Sequence, residues 1–135
     1  MGAAPRIRVD PTLPSPIWSQ IEESVRYLVA SGALRPGETV PSVRDLARDQ
    51  RVNPNTGAKA YQRLVEAGIL ETRRGEGTFV AERPPAMPAA EKARVLQEGA
   101  TRYSTLAVNL GATRAEAVST LQASWPEPDG KGGRR

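Results

Sequence analysis

The 135-residue sequence contains no cysteine and no histidine. Those absences exclude disulfides, thiolate nucleophiles, imidazole-based triads and the two side chains that most often hold zinc or copper. Aromatic residues are scarce, with one Phe, two Trp and three Tyr, which limits the size of any aromatic core. Long apolar runs are also missing. Nothing approaches the roughly 20 residues of a membrane span, and residues 1–10 lack the hydrophobic stretch of a secretory signal. The expectation is a cytoplasmic protein with no membrane association, no metal and no cofactor. What the chain does have is a modest basic excess, 19 Lys and Arg against 15 Asp and Glu, and 12 Gly with 12 Pro that punctuate it.

That punctuation divides the sequence. A lead-in, Pro11-Thr12-Leu13-Pro14-Ser15-Pro16, is too rich in fixed backbone angles to start a helix before its last residue. A compact block follows to about Ala81, so 11–81 reads as one domain. Residues 82–88 carry three prolines and read as a stiff linker. Residues 89–125 carry helical patterns, and 126–135, all Gly, Pro and charge with no apolar period, read as a disordered tail.

Within the block, Ile17, Ile21, Val25, Leu28 and Val29 recur at spacings of three and four, which predicts a helix started by Pro16 and stopped by Gly32. Ser42 is placed to cap a short helix from Val43 to about Asp49, with Asp45 reaching back as in a capping box. Asn53-Pro54 pairs a capping side chain with a proline at the first helical position, opening a third helix that runs to Ala67 and stops at Gly68. Ile69 to Arg73 and Thr78 to Val80 are strand candidates separated by Arg74-Gly75-Glu76-Gly77, a basic, glycine-rich hairpin tip. The implied fold is mainly α: a winged helix-turn-helix of three helices plus a β-hairpin wing, followed by a carboxy-terminal helical hairpin.

A DNA-reading third helix needs two chemically distinct faces. Gly57, Ala60, Tyr61 and Leu64 fall on one side, whereas Asn55, Thr56, Lys59 and Arg63 fall on the other. Amides and hydroxyls in the first turn suit base edges, and the long cations beyond suit phosphates. No carboxylate lies between Asn53 and Arg63. Arg44, Arg48, Arg51, Lys59 and Arg63 face only Asp45 and Asp49 in this stretch, so most of the chain's net charge of +4 is concentrated there. A charge run is most often a solvated helix face. Here it coincides with a capped helix, a turn and a glycine-tipped hairpin, which favours DNA.

Three stretches together carry a family resemblance. They are Val40-Pro41-Ser42-Val43-Arg44-Asp45-Leu46-Ala47, the segment Val52-Asn53-Pro54-Asn55-Thr56 with Ala60-Tyr61 and Leu64, and the close from Glu66-Ala67-Gly68-Ile69 through Arg74-Gly75-Glu76-Gly77-Thr78-Phe79-Val80. They resemble the amino-terminal domain of GntR-family transcriptional regulators. The resemblance implies that Arg44 binds operator phosphate or bases, that Asn55 and Thr56 sit at the reading turn, and that Gly75 is the wing-tip glycine approaching the minor groove. The DNA-contacting set is then Arg44, Arg48, Asn53, Asn55, Thr56, Lys59, Arg63, Arg74 and Gly75. Three departures stand out: Arg51 occupies the place of a usual turn glycine, Gly57 that of a branched apolar residue, and Pro54 that of a base-reading arginine in many relatives.

Beyond the linker, Ala89 to about Asn109 reads as one long helix stopped by Gly111, and Thr113-Arg114-Ala115-Glu116 is a second capping box opening a helix toward Trp125. Two such helices cannot bury a pocket of the size that ligand domains enclose. Arg102, Asn109-Leu110-Gly111 and the Thr113 to Glu116 turn resemble the YtrA-like subgroup, whose short carboxy-terminal segment implies dimerisation. The apolar residues offered to a second copy are Val95, Leu96, Leu106, Leu110, Val118 and Leu121. A homodimer would present two reading helices to an inverted-repeat operator on double-stranded DNA, as a repressor, because occupancy of a promoter alone blocks polymerase. Two alternatives stay open: a sensor whose unidentified small-molecule effector sits at the dimer interface, and a helical protein-interaction module. An enzyme is disfavoured, since the carboxylates are dispersed among cations.

Overall fold

The computed structural model describes residues 7–127. The described residues divide into two compact units, 7–86 and 87–127.

In the first unit, α1 (Ile17–Ser31) begins after Pro16 and ends at Gly32, whose φ of 84° is the left-handed cap that glycine tolerates best. The helix α2 (Val43–Gln50) is capped by Ser42, whose Oγ accepts the Asp45 backbone N–H at 3.0 Å. The reciprocal half of the expected capping box does not form. Asp45 instead accepts from Arg48 at 2.6 Å, one turn along the same helix. Arg51 closes α2 at φ 57°, ψ 47°, so the left-handed conformation usually left to glycine is held by a residue with a side chain.

The third helix, α3 (Pro54–Glu66), starts as expected: Asn53 Oδ1 accepts the Asn55 N–H at 2.8 Å. Its inward residues Gly57, Ala60, Tyr61 and Leu64 are buried. At Gly57 the missing branched side chain leaves no hole. A Cβ there would lie 3.4 Å from Val43 Cγ1 and 3.8 Å from Leu46 Cδ2, so α2 has closed over the position. The Tyr61 hydroxyl donates to the Pro41 carbonyl at 2.7 Å, which ties α3 to the segment entering α2. Burial pushes the Tyr61 phenol pKa far above its usual value near 10.

The wing pairs β1 (Leu70–Arg73) with β2 (Gly77–Val80) antiparallel, with Leu70 opposite Val80 and Arg73 opposite Gly77. Ile69, expected in the first strand, stands at the joint: its N–H donates to Leu64 O at 2.9 Å, closing α3, and its carbonyl accepts from Ala81 N at 2.9 Å beside the wing. The segment before α2 adds a third edge that periodicity did not reveal: Val80 donates to Glu38 O at 2.7 Å and Val40 to Thr78 O at 2.9 Å. The core joins Ile21, Val25, Leu46, Leu64, Leu70 and Val80 from all of these pieces. It also takes in Ile7 and packs Val9, so the unit begins before the expected boundary at residue 11. Gln20 secures that lead-in. Buried among apolar neighbours, its amide accepts from Asp10 N at 2.7 Å and donates to the Asp10 and Ser15 carbonyls, both at 3.1 Å.

The second unit holds α4 (Ala89–Asn109) and α5 (Arg114–Ser124). The Thr113 capping box is complete: Thr113 Oγ1 accepts from Glu116 N at 3.0 Å and Glu116 returns to Thr113 N at 2.8 Å. The Tyr103 hydroxyl, donating to Ala117 O at 2.7 Å, joins the two helices. Of the six residues proposed for a dimer interface, Val95 is half-buried and Leu96, Leu106, Leu110, Val118 and Leu121 are exposed. With Ala107, Tyr103 and Trp125 nearby, the hairpin frames an open groove of about 700 Å³. The groove lies open along the hairpin and is not an enclosed cavity. Of the expected tail, residues 128–135 lie outside the described residues.

Candidate nucleic-acid interface

The site is built from α2, α3 and the wing tip. On α2, the burial of Leu46 and Ala47 turns Arg44 and Arg48, one helical turn apart, to solvent. Arg48 is paired with Asp45, but both side chains are largely exposed, so a competing phosphate can replace that partner at small cost.

On α3, the buried inner face fixes which residues look outward. Asn55 is exposed and Thr56 half-buried in the first turn, with Lys59 and Arg63 following along the same side. The first-turn backbone amides point along the helix axis, where its dipole favours an anion. Asn53 belongs to this turn too, although its side-chain oxygen is already engaged as the cap.

The wing separates its cations by role. Arg73, expected only as a strand residue, stacks 4.1 Å over the Phe79 ring and donates to Glu71 at 2.9 Å and Glu82 at 3.2 Å. The hydrogen bond to Glu71 holds its guanidinium still more firmly protonated than usual. Arg74 and Gly75, by contrast, are exposed at the tip, with Gly75 at φ 78°. Gly75 has open space around its missing side chain, so positive φ, not crowding within the chain, is what asks for glycine there.

Two residues of this surface escaped sequence reasoning. Trp18, half-buried and packed against the core, lies under both Lys59 Nζ at 4.5 Å and Arg63 Cζ at 4.7 Å. Glu22 accepts from Arg63 Nε at 2.8 Å. Their i, i+4 spacing beside the core stripe of α1 was the available signal. Arg63 is thus an internal cross-link between α1 and α3, not the free cation that its outward position implied. No group of three or more metal-ligating side chains occurs among the described residues, and no helix there is long and apolar enough to cross a membrane.

Comparison with known proteins places this arrangement. Residues 18–80 match the family of bacterial regulatory proteins described as gntR. The HTH-type transcriptional repressor YtrA of Bacillus subtilis (strain 168) is 45% identical over 76 residues, 56% of this chain and 58% of that repressor's length. YhcF of the same organism, an uncharacterized HTH-type transcriptional regulator, is 35% identical over 107 residues, covering 79% of this chain and 88% of that one. Among solved structures, YtrA from Sulfolobus acidocaldarius, a GntR-family transcription factor, is 30% identical with a TM-score of 0.52, covering 74% of this chain and 99% of that one.

Proposed function

The chain belongs to the gntR family of bacterial regulatory proteins, in its YtrA-like subgroup, and is a sequence-specific DNA-binding transcriptional regulator; we propose that it works as a homodimeric repressor on an inverted-repeat operator. The observation that carries the contact assignment is the outer face of α3 from Asn55 to Arg63, which has no carboxylate of its own and opens with Asn55 and Thr56 over a buried inner face. Asn55 and Thr56 read base edges in the major groove. Arg44, Arg48 and Lys59 hold phosphates, and Arg74 with Gly75 brings the wing to the adjacent minor groove. Asn53 orders the reading turn as its cap while its amide nitrogen faces the duplex. This activity belongs with the genome in the cytoplasm.

The homodimer rests on the second unit. Leu96 and Leu110 are each 75% exposed, and a second copy of the same hairpin is a self-complementary cover for them. The groove volume of about 700 Å³ also favours a second reading, in which a small apolar effector enters this interface and alters the spacing of the two reading helices. Selection of bound fragments from a random duplex pool tests the main proposal. An inverted repeat with half-sites about one helical turn or more apart is expected, and a single asymmetric half-site would overturn the dimeric mode. Ligand-induced loss of operator binding by the intact dimer, or its absence across a panel of apolar compounds, decides the second reading.

A further inference from the structure

The contact between α1 and α3 makes the two long cations of the reading helix unequal. Lys59 and Arg63 are one turn apart, and like charges at that spacing repel. Both nevertheless converge on the half-buried Trp18 ring, at 4.5 Å and 4.7 Å, where the negative face of the indole offsets their repulsion. Among the described residues a single carboxylate serves the pair, and it goes to Arg63: Glu22 lies 2.8 Å from Arg63 Nε, with the Glu22 side chain only 19% exposed. With one face on the ring and Nε on Glu22, the Arg63 guanidinium is held against α1, although its side chain remains 49% exposed. Lys59 has the ring beneath it and, among the described residues, no carboxylate in contact, so its ammonium is held in place while still charged and exposed.

We propose that Trp18, Glu22 and Arg63 form a dock that presents Lys59 as the phosphate ligand of α3, with Arg63 a positioning residue that does not itself contact DNA. This rests on the reading of α3 as the DNA-facing helix. The dock fixes the angle between α1 and α3 at the place where the second of these would enter the groove. Holding Lys59 before binding removes an ordering cost at the moment of contact.

Affinity of the full-length protein for one selected duplex, measured across a salt series, tests the assignment. Lys59→Gln is expected to lower the slope of log K against log salt by about one, as loss of a phosphate contact does. Arg63→Gln should weaken binding roughly threefold to tenfold with the slope unchanged, the size of a lost cation–π contact. Glu22→Gln should weaken it by the same factor, and the double variant should add nothing further. Trp18→Leu should weaken binding at constant slope, and Trp18→Phe should recover most of the loss. If Trp18→Leu does not fold, the Arg63 and Glu22 variants carry the test alone. A slope lowered by about one in Arg63→Gln would make Arg63 a phosphate ligand and overturn the proposal, as would tighter binding by Glu22→Gln. Asn55→Ala separates this failure from a deeper one. If it too leaves binding untouched, the reading of α3 has failed and the dock falls with it; if it weakens binding, only the positioning role is lost.

Discussion

The winged unit and the helical unit treat their large apolar side chains in opposite ways. Ile21, Val25, Leu64 and Val80 are completely enclosed in the first, whereas the second leaves Leu96, Val108, Leu110 and Trp125 largely in water. The first unit closes its own core because three helices and a sheet surround it on several sides. Two helices have only one mutual contact line, so whatever apolar surface lies off that line must find a cover elsewhere. The comparison teaches that DNA recognition is built into one copy of the chain, while assembly is left to a surface that one copy cannot satisfy.

Substitution in the two units should separate these roles most sharply. Leu64→Ala is expected to destabilise the winged unit by about 2–5 kcal/mol, the range for emptying an enclosed leucine site, and to abolish DNA binding at ordinary temperatures. Leu110→Glu should leave thermal unfolding of the winged unit nearly unchanged while sedimentation shows monomer in place of dimer. Equal destabilisation by both would erase the contrast between the units.

Smaller effects sharpen the picture within the winged unit. Asn55→Ala should relax discrimination at one base position by about 1–3 kcal/mol without a general loss of affinity, as competition between single-base operator variants would show. Tyr61→Phe should cost about 0.5–1.5 kcal/mol through loss of the hydrogen bond to Pro41. Its pH dependence is more telling. The folded Tyr61 stays protonated above the pH near 10 at which the unfolded chain releases that proton, so unfolding is favoured increasingly as pH rises past 10. Denaturant melts of the two proteins should therefore converge on the alkaline side. At the small end, Gly57→Ala is expected to stabilise by about 0.5–1 kcal/mol, because a Cβ meets Val43 and Leu46 at ordinary contact distance and helix propensity improves. Arg51→Gly should stabilise by a similar amount, about 0.5–1 kcal/mol, through relief of its left-handed backbone. A Tm that falls in either variant would contradict the local geometry.

Local signals made most of the fold legible. Capping side chains and start or stop residues, Ser42, Asn53-Pro54, Gly32 and the Thr113 box, act within a few residues of themselves, and each helix begins where they say. Contacts distant in sequence were not legible. The pairing of Glu38 and Val40 with β2 spans some forty residues, and nothing in a four-residue stretch announces it. The burial of Ile7 depends on Gln20 gripping the lead-in, which looks from sequence like an ordinary polar residue on a helix. The candidate site divides the same way. Helical period alone separated the outer from the inner residues of α3, yet it treated Lys59 and Arg63 as equivalent because the residues that distinguish them, Trp18 and Glu22, lie on another helix. Asp45 shows one local signal losing to another, its carboxylate drawn to Arg48 three residues on in place of the cap backbone three residues back.

The central claim is that the outer face of α2 and α3 meets DNA phosphates through a small number of cations. Titration of the full-length protein with its selected duplex over a range of salt, beside Arg44→Ala, tests it directly. The expected result is saturable binding whose log K falls linearly with log salt, with a slope shallower by about 0.9 in the variant. Identical slopes for the two proteins, or no complex with any duplex at low salt, would contradict it.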